Sequence, residues 1–326
     1  MIQFGLLAPH LHNQFYVATK TDNVVEKRES RSSRFLKLFV KVLITALCFW
    51  YISRKIDFSQ AFEALKRANW LLLLLSTLLY ILSKIIGAFR LNIYFKNIGL
   101  RFRQWQHLKL YWLGLFYNLF LPGSISGDAY KVVILFKRLN APYKKTSAAV
   151  LLDRFSGLLG LGIILSIYGI LVLRTPLFTV LLVTGPVLAV AIFYFIIWRF
   201  FKDFLPGFFP TLLLGIAVQA IQVAGVYLIL KALKLELHHQ QWLFIFLAGQ
   251  VLSVLPLSLG GGLGTRELVF TEGAIFFHLD PQAGVIISLL FYLTSVAGSV
   301  WGAYYIFHDP VKNLLRNDSP KTATQV

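Results

Sequence analysis

The sequence predicts an all-α, polytopic membrane helix bundle, and three observations predict it. Of 326 residues, 57% are hydrophobic and only 14% are charged, whereas a soluble domain carries about 25% charged residues. The apolar residues gather into runs long enough to span a bilayer, which takes about 20 residues. The 32 Lys and Arg outnumber the 14 Asp and Glu, and they lie between the runs and not in one patch. That distribution argues against nucleic acid as a partner. It fits the cation-rich cytoplasmic loops of membrane proteins, which anionic headgroups also attract. The single cysteine, Cys48, excludes an intramolecular disulfide framework and a Cys-rich metal site.

Residues 1–34 read as a cytoplasmic tail, since the apolar stretch at Gly5 to Pro9 is too short for a secretory signal. A start assigned too far upstream is the alternative. The transmembrane domain is expected over 35–309, followed by a cytoplasmic tail at 310–326. Six full spans are expected, over 35–53, 70–89, about 147–173, 175–198, 204–230 and 282–307. Trp50, Trp70, Trp198, Trp242 and Trp301 fall near span ends, where an interfacial aromatic belt would place them.

Two segments, 107–139 and 241–278, follow another pattern. The first is apolar to Leu121, breaks at Pro122, Gly123 and Gly127, and restarts with Asp128 and Lys131. The second is apolar to Leu259, breaks at Gly260, Gly261, Gly262 and Gly264, and restarts with Arg266 and Glu267. Pro and Gly interrupt the helical ladder, and freed backbone at membrane depth must be buried in protein or face water. Both segments are expected to be broken, re-entrant helical hairpins.

With the N-terminus inside, 18 Lys and Arg of the loops and tails, Arg90 among them, fall inside. Seven (Arg54, Lys55, Lys66, Arg67, Arg174, Lys231 and Lys234) fall outside. Both termini are therefore expected in the cytoplasm, with the chain in the cell (inner) membrane. Asp128 to Glu267 is 139 residues, as is Pro142 to Pro281. The order of span, span, broken hairpin, span occurs twice, with three crossings per half, so an inverted repeat of transporter type is expected. Helices of similar length would also give this spacing by coincidence.

A charge at the bilayer centre costs about 2.5–3.5 kcal/mol on insertion scales, so such residues should be paired or face a polar cavity. Asp153 and Arg154 sit inside an apolar run and point about 100° apart on a helix, so they need not pair with each other. A polar substrate-binding site between the hairpins is expected to include Asp128, Lys131, Asp153, Arg154, Arg266 and Glu267. The cations suit a phosphate, and the carboxylates would balance them or hold a cationic headgroup. The bland alternative makes Asp128 and Thr265 helix caps and Asp153 with Arg154 part of a structural ion pair. Asn118, Gln219 and Gln222 line the same cavity or join helices.

No G-x-x-x-x-G-K-[ST] loop is present, which argues against an ATPase, and no H-E-x-x-H motif occurs. The histidines lie at span ends or in tails, so a Ser-His protease does not fit. Neither a catalytic residue, a cofactor nor a metal is expected.

Asn118 to Gly123 with Gly127-Asp128, Leu151 to Arg154 with Gly157, and Pro256 through Gly260 to Glu267 resemble, as an ordered set, the flippase-like membrane family. This is the lysylphosphatidylglycerol synthase transmembrane region, and the resemblance covers about residues 35–309. It implies an inner-membrane domain that moves a lipid product made by a fused soluble aminoacyltransferase, a domain this chain is expected to lack. Relatives are tied to polyprenyl-glycolipid and hopanoid pathways. The resemblance carries Asp128, Asp153, Arg154, Gly262, Gly264 and Glu267 over as functional positions, with Arg266 less securely matched. Lys131 departs from the arginine found there in many relatives, and Lys makes no bidentate phosphate clamp.

The favoured function is lipid or lipid-headgroup translocation without ATP hydrolysis, with membrane lipids of anionic or phosphate-bearing kind as partners. A membrane subunit of a lipid-modifying enzyme such as phosphatidylglycerol lysyltransferase, or a scaffold for a separately encoded one, is the alternative. A homo-oligomer is left open.

Overall fold

The computed structural model describes residues 63, 66, 68–120, 125–235, 237–254 and 265–311. Among them the regular structure is helical, without strands. The helices are α1 (Trp70–Asn97), α2 (Gln104–Phe120), α3 (Ser126–Leu139), α4 (Tyr143–Leu173), α5 (Pro176–Phe200), α6 (Phe208–Ala232), α7 (His239–Val254), α8 (Thr265–Phe276), α9 (Pro281–Ser299) and the short α10 (Tyr304–Phe307). A 3₁₀ turn at Lys202–Gly207 leads into α6, and another at Val300–Ala303 joins α9 to α10.

Five helical stretches are long and apolar enough to cross a membrane: α1, α4, α5, Lys202–Ala232 and Pro281–Phe307. They correspond to five of the six expected spans, and the sixth, 35–53, lies outside the described residues. Local chemistry explains several ends. Asn69 caps α1 by accepting from the amides of Leu71 and Leu72. Pro176 and Pro281 open α5 and α9 at first-turn positions, where no amide is needed. Asp280 accepts from the amide of Gln282.

One boundary differs instructively. The expected span ended at Phe89 because a charge follows it, but α1 continues through Arg90 to Asn97. Arg90 is a buried residue of the bundle and not a cytoplasmic loop cation. The helix carries on because this guanidinium has a partner inside the protein.

The two unusual segments each form a pair of packed helices, α2 with α3 and α7 with α8. These helices have 17, 14, 16 and 12 residues, all short of the roughly 20 a span requires. The breaks between them, Pro122 and Gly123 in the first and Gly260 to Gly264 in the second, lie outside the described residues.

α5 turns most of its surface outward, with only 11% of its most apolar window buried against 61% for Pro281–Phe307. Val180, Leu181, Val187, Leu188, Ile192 and Phe195 are exposed on it. Such a face suits hydrocarbon or another apolar surface and not water. Trp70, Trp198 and Trp301 are exposed, as belt residues should be, but Trp242 is buried. It packs into the apolar core built by α6, α7, α8 and α9.

Helix starts recur at a near-constant offset: Trp70 and Phe208 are 138 residues apart, Gln104 and His239 135, Ser126 and Thr265 139, and Tyr143 and Pro281 138. Contacts recur with them. α1 packs on α6, the equivalent position in the second half, and α4 on α7 is matched by α9 on α2. α4 on α6 is likewise matched by α9 on α1.

Close approach depends on glycine at two crossings. A Cβ on Gly160 of α4 would lie 2.5 Å from the Gly215 carbonyl carbon of α6. A Cβ on Gly127 of α3 would overlap the Gly114 carbonyl of α2. Gly162, two residues from Gly160 on the same helix, has open space. Gly160→Ala should therefore destabilise the protein by about 1–3 kcal/mol through overpacking. Gly162→Ala should be neutral or gain up to about 1 kcal/mol from reduced chain entropy. Thermal unfolding of both variants in detergent checks the contrast; equal melting temperatures would refute the crossing.

Candidate functional site

The site begins with two neighbouring residues. Asp153 and Arg154 lie in α4 and point in different directions, so each meets a different helix. Arg90 of α1 donates to Asp153 from both Nε (2.7 Å) and Nη2 (3.1 Å), a bidentate fork. Arg154 donates through Nε to Asp128 Oδ2 on α3. The other oxygen of Asp128 accepts from Lys131 Nζ at 2.6 Å, one turn along α3. One helix thereby ties α1 and α3 together through buried charges.

Asp128 is held in place by the end of α2. Ser126 Oγ donates to the Tyr117 carbonyl (2.8 Å), and the Gly127 amide donates to Asn118 Oδ1 (2.8 Å). Gly114 makes room for Lys131, since a Cβ there would fall on Lys131 Cε. Lys131 Nζ lies 4.8 Å from the centre of the Tyr111 ring. Asp128 does not cap α3: its oxygens serve the two cations, and Asn118 of α2 accepts the first-turn amide of Gly127 instead. Gly157 does for Arg90 what Gly114 does for Lys131, as a Cβ would stand 2.9 Å from Arg90 Nη1.

These helices surround a cavity of about 290 Å³, lined by α1, α2, α4, α6, α7, α8 and α9. Four cations line it: Lys84, Arg90, Arg154 and Arg266. Among the described residues no carboxylate does. Lys84 Nζ rests 4.7 Å from the Tyr80 ring centre and Arg266 Cζ 5.0 Å from that of Phe291, so aromatic faces share their charge. A chain of hydrogen bonds crosses one wall: Gln250 Nε2 donates to Gln222 Oε1 (3.1 Å), Gln222 Nε2 to Ser83 Oγ (3.4 Å), and Ser83 Oγ to the Tyr80 carbonyl (2.7 Å). Gln222 thus both lines the cavity and joins helices.

Of the residues singled out from the sequence, Arg154 and Arg266 line the cavity, together with Asn118, Gln219 and Gln222. Asp128 and Asp153 stand behind it as partners of its arginines, and Lys131 shares Asp128 with Arg154. Glu267 is not in the lining; its Oε1 accepts from Ser288 Oγ of α9 at 3.1 Å. Of the expected hinge positions, only Gly127 lies among the described residues. Among the lining residues that sequence reasoning passed over are Lys84, Arg90, Tyr111 and Gln250. For Lys84 a signal existed, since a lysine midway through a 28-residue apolar helix requires an explanation.

A family model described as the lysylphosphatidylglycerol synthase TM region matches residues 38–302. The chain belongs to this family. Similar to it as well are a UPF0104 membrane protein of Pyrococcus horikoshii, 26% identical over 123 residues, and one of Archaeoglobus fulgidus, 28% identical over 101 residues. The first match covers 37% of this chain and 36% of the relative, the second 31% and 30%. The chain therefore matches about a third of the length of these curated relatives. It is an integral membrane protein of a lipid-related family, with several membrane-crossing helices.

Removing one partner of a buried ion pair leaves an uncompensated charge, whereas replacing both by apolar groups is often neutral. Asp153→Asn should therefore destabilise this family member by about 3–5 kcal/mol, and Arg90→Met/Asp153→Leu should recover most of that. Melting curves of the single and double variants check this. A double variant as unstable as the single one would show that the pair is not the source of the loss.

Proposed function

We propose that the protein moves a lipid or lipid-linked headgroup across the bilayer without hydrolysing ATP. The headgroup passes through the polar cavity while the acyl or prenyl tails stay in hydrocarbon. The observation that carries this reading is the cavity itself: a cation-lined, headgroup-sized space amid helices whose outer faces suit lipid. Its volume of about 290 Å³ lies at the lower end of small-ligand sites, and so suits a headgroup and not a whole lipid.

Three further features support the reading. The short helices of the pairs α2–α3 and α7–α8 suit re-entrant hairpins, whose irregular tips are tolerated where they are buried or wet. The recurring offset near 139 residues, and the matched packing of the two halves, suit an inverted repeat, in which the substrate site lies where the halves meet. Ser83 and Gln222, themselves 139 residues apart, are hydrogen-bonded across that junction. The excess of Lys and Arg in the inferred cytoplasmic segments favours both termini inside the cell membrane.

The experiment is lipid scrambling in proteoliposomes containing a tail-labelled fluorescent phosphatidylglycerol, with an impermeant reductant bleaching the outer leaflet. Intact protein should expose the inner-leaflet label to bleaching. A charge-assisted hydrogen bond contributes about 1.5–3 kcal/mol, so Arg154→Ala and Arg266→Gln should each slow scrambling by about tenfold or more. Rates unchanged in both variants would defeat the cavity as the route.

A further inference from the structure

The carboxylates near the cavity are already committed. Asp153 holds Arg90 by a fork, and Asp128 spends one oxygen on Arg154 and the other on Lys131. Glu267 accepts from Ser288 on α9. The cations therefore meet the cavity, and the anions stand behind them or aside. Among the described residues, Lys84, Arg90, Lys131, Arg154 and Arg266 stand against Asp128, Asp153 and Glu267, two more positive charges than negative around the space.

Arg90 adds an independent observation. It is 93% buried and lines the cavity; its Nε and Nη2 hold Asp153, while its Nη1, packed toward Gly157 of α4 and Gly215 of α6, has no hydrogen-bond partner. A buried, unsatisfied guanidinium N–H is costly, and a phosphate oxygen satisfies such a donor best. The amides of Gln219, Gln222 and Gln250 supply neutral donors and acceptors for hydroxyls beside that phosphate.

We infer that the cavity receives the phosphate of an anionic lipid headgroup and rejects the aminoacylated, net-cationic form of the same headgroup. This rests on the translocation reading and narrows its substrate. Attaching lysine to phosphatidylglycerol turns the headgroup's net charge from negative to positive. Its ammonium groups would then meet four cations and, among the described residues, no lining carboxylate. Like charges at these distances repel strongly in a partly dry site, and the neutral amides do not offset that. The chain thus suits the unmodified anionic lipid, on the substrate side of an aminoacylation, and not its product.

The test uses the full chain in detergent and matched short-chain lipids, dihexanoyl phosphatidylglycerol and its lysyl ester, with binding read by intrinsic tryptophan fluorescence. The unmodified lipid should bind roughly tenfold or more tightly than the lysyl ester, the scale expected from charges meeting at an effective dielectric near 20. Lys84→Gln, at a half-exposed position whose loss leaves the buried pairs intact, should narrow the gap, and Arg266→Lys should largely keep it. Equal or tighter binding of the lysyl ester overturns the inference. Glycerol phosphate binding as tightly as the short-chain lipid overturns the lipid source. Selective binding without scrambling in proteoliposomes upholds the headgroup preference and defeats translocation. Scrambling of both lipids at one rate, with equal binding, defeats the preference and leaves translocation standing.

Discussion

Asp153 and Arg154 put a negative and a positive charge side by side on a helix that is otherwise apolar. The bilayer offers neither of them water, so each must find a protein partner, and the helical twist sends the two in different directions. Asp153 meets Arg90 on α1, and Arg154 meets Asp128 on α3. α4 is fixed in rotation and in depth by this requirement, since slipping by one residue would strand both charges. The rest of the site depends on that placement. With the carboxylates drawn back to their partners, Arg90 and Arg154 are what this part of the cavity wall presents.

Such pairing requires backbones closer than ordinary side chains allow. Gly127 against Gly114 brings α3 onto α2, and Gly160 against Gly215 brings α4 onto α6. Between helices in lipid there is little hydrophobic drive, so contact of this kind and interhelical hydrogen bonds carry the association. Glycine also sets where the long cations lie, as Gly114 leaves space for Lys131 and Gly157 for Arg90. Small residues and charges are therefore one device here: the first creates the room in which the second can be neutralised.

The long apolar runs were legible because hydropathy over twenty residues depends on no distant partner. Five stretches able to span, and two pairs of shorter helices, follow from hydropathy and from the Pro and Gly that interrupt it. What depends on a distant partner was not legible. Arg90 looks like the end of a span until Asp153, 63 residues on, is seen to neutralise it. Trp242 looks like a belt residue until α7 is seen to pack within a core. The 139-residue spacing invites equal roles for Asp128 and Glu267, but Asp128 serves two cations while Glu267 accepts from a serine. Position within a repeat is encoded locally; the partner a side chain meets is set by the other half.

A positively lined cavity in a lipid-facing bundle must avoid two failures, repulsion that opens it and neutralisation that closes it. Repulsion is limited by Tyr80 and Phe291, whose ring faces take up part of the charge of Lys84 and Arg266. It is limited further by Asp128 and Asp153 standing one layer back. Complete neutralisation is avoided because those carboxylates are outnumbered. On the proposed reading the remaining surplus would attract an anion without the fixed geometry of a tight clamp, as Lys84 and the wall amides offer point contacts while Arg90 is locked in a fork. A path must bind its passenger well enough to admit it and weakly enough to release it. On the translocation reading, positive charge spread over several side chains would meet that condition better than a single saturated site.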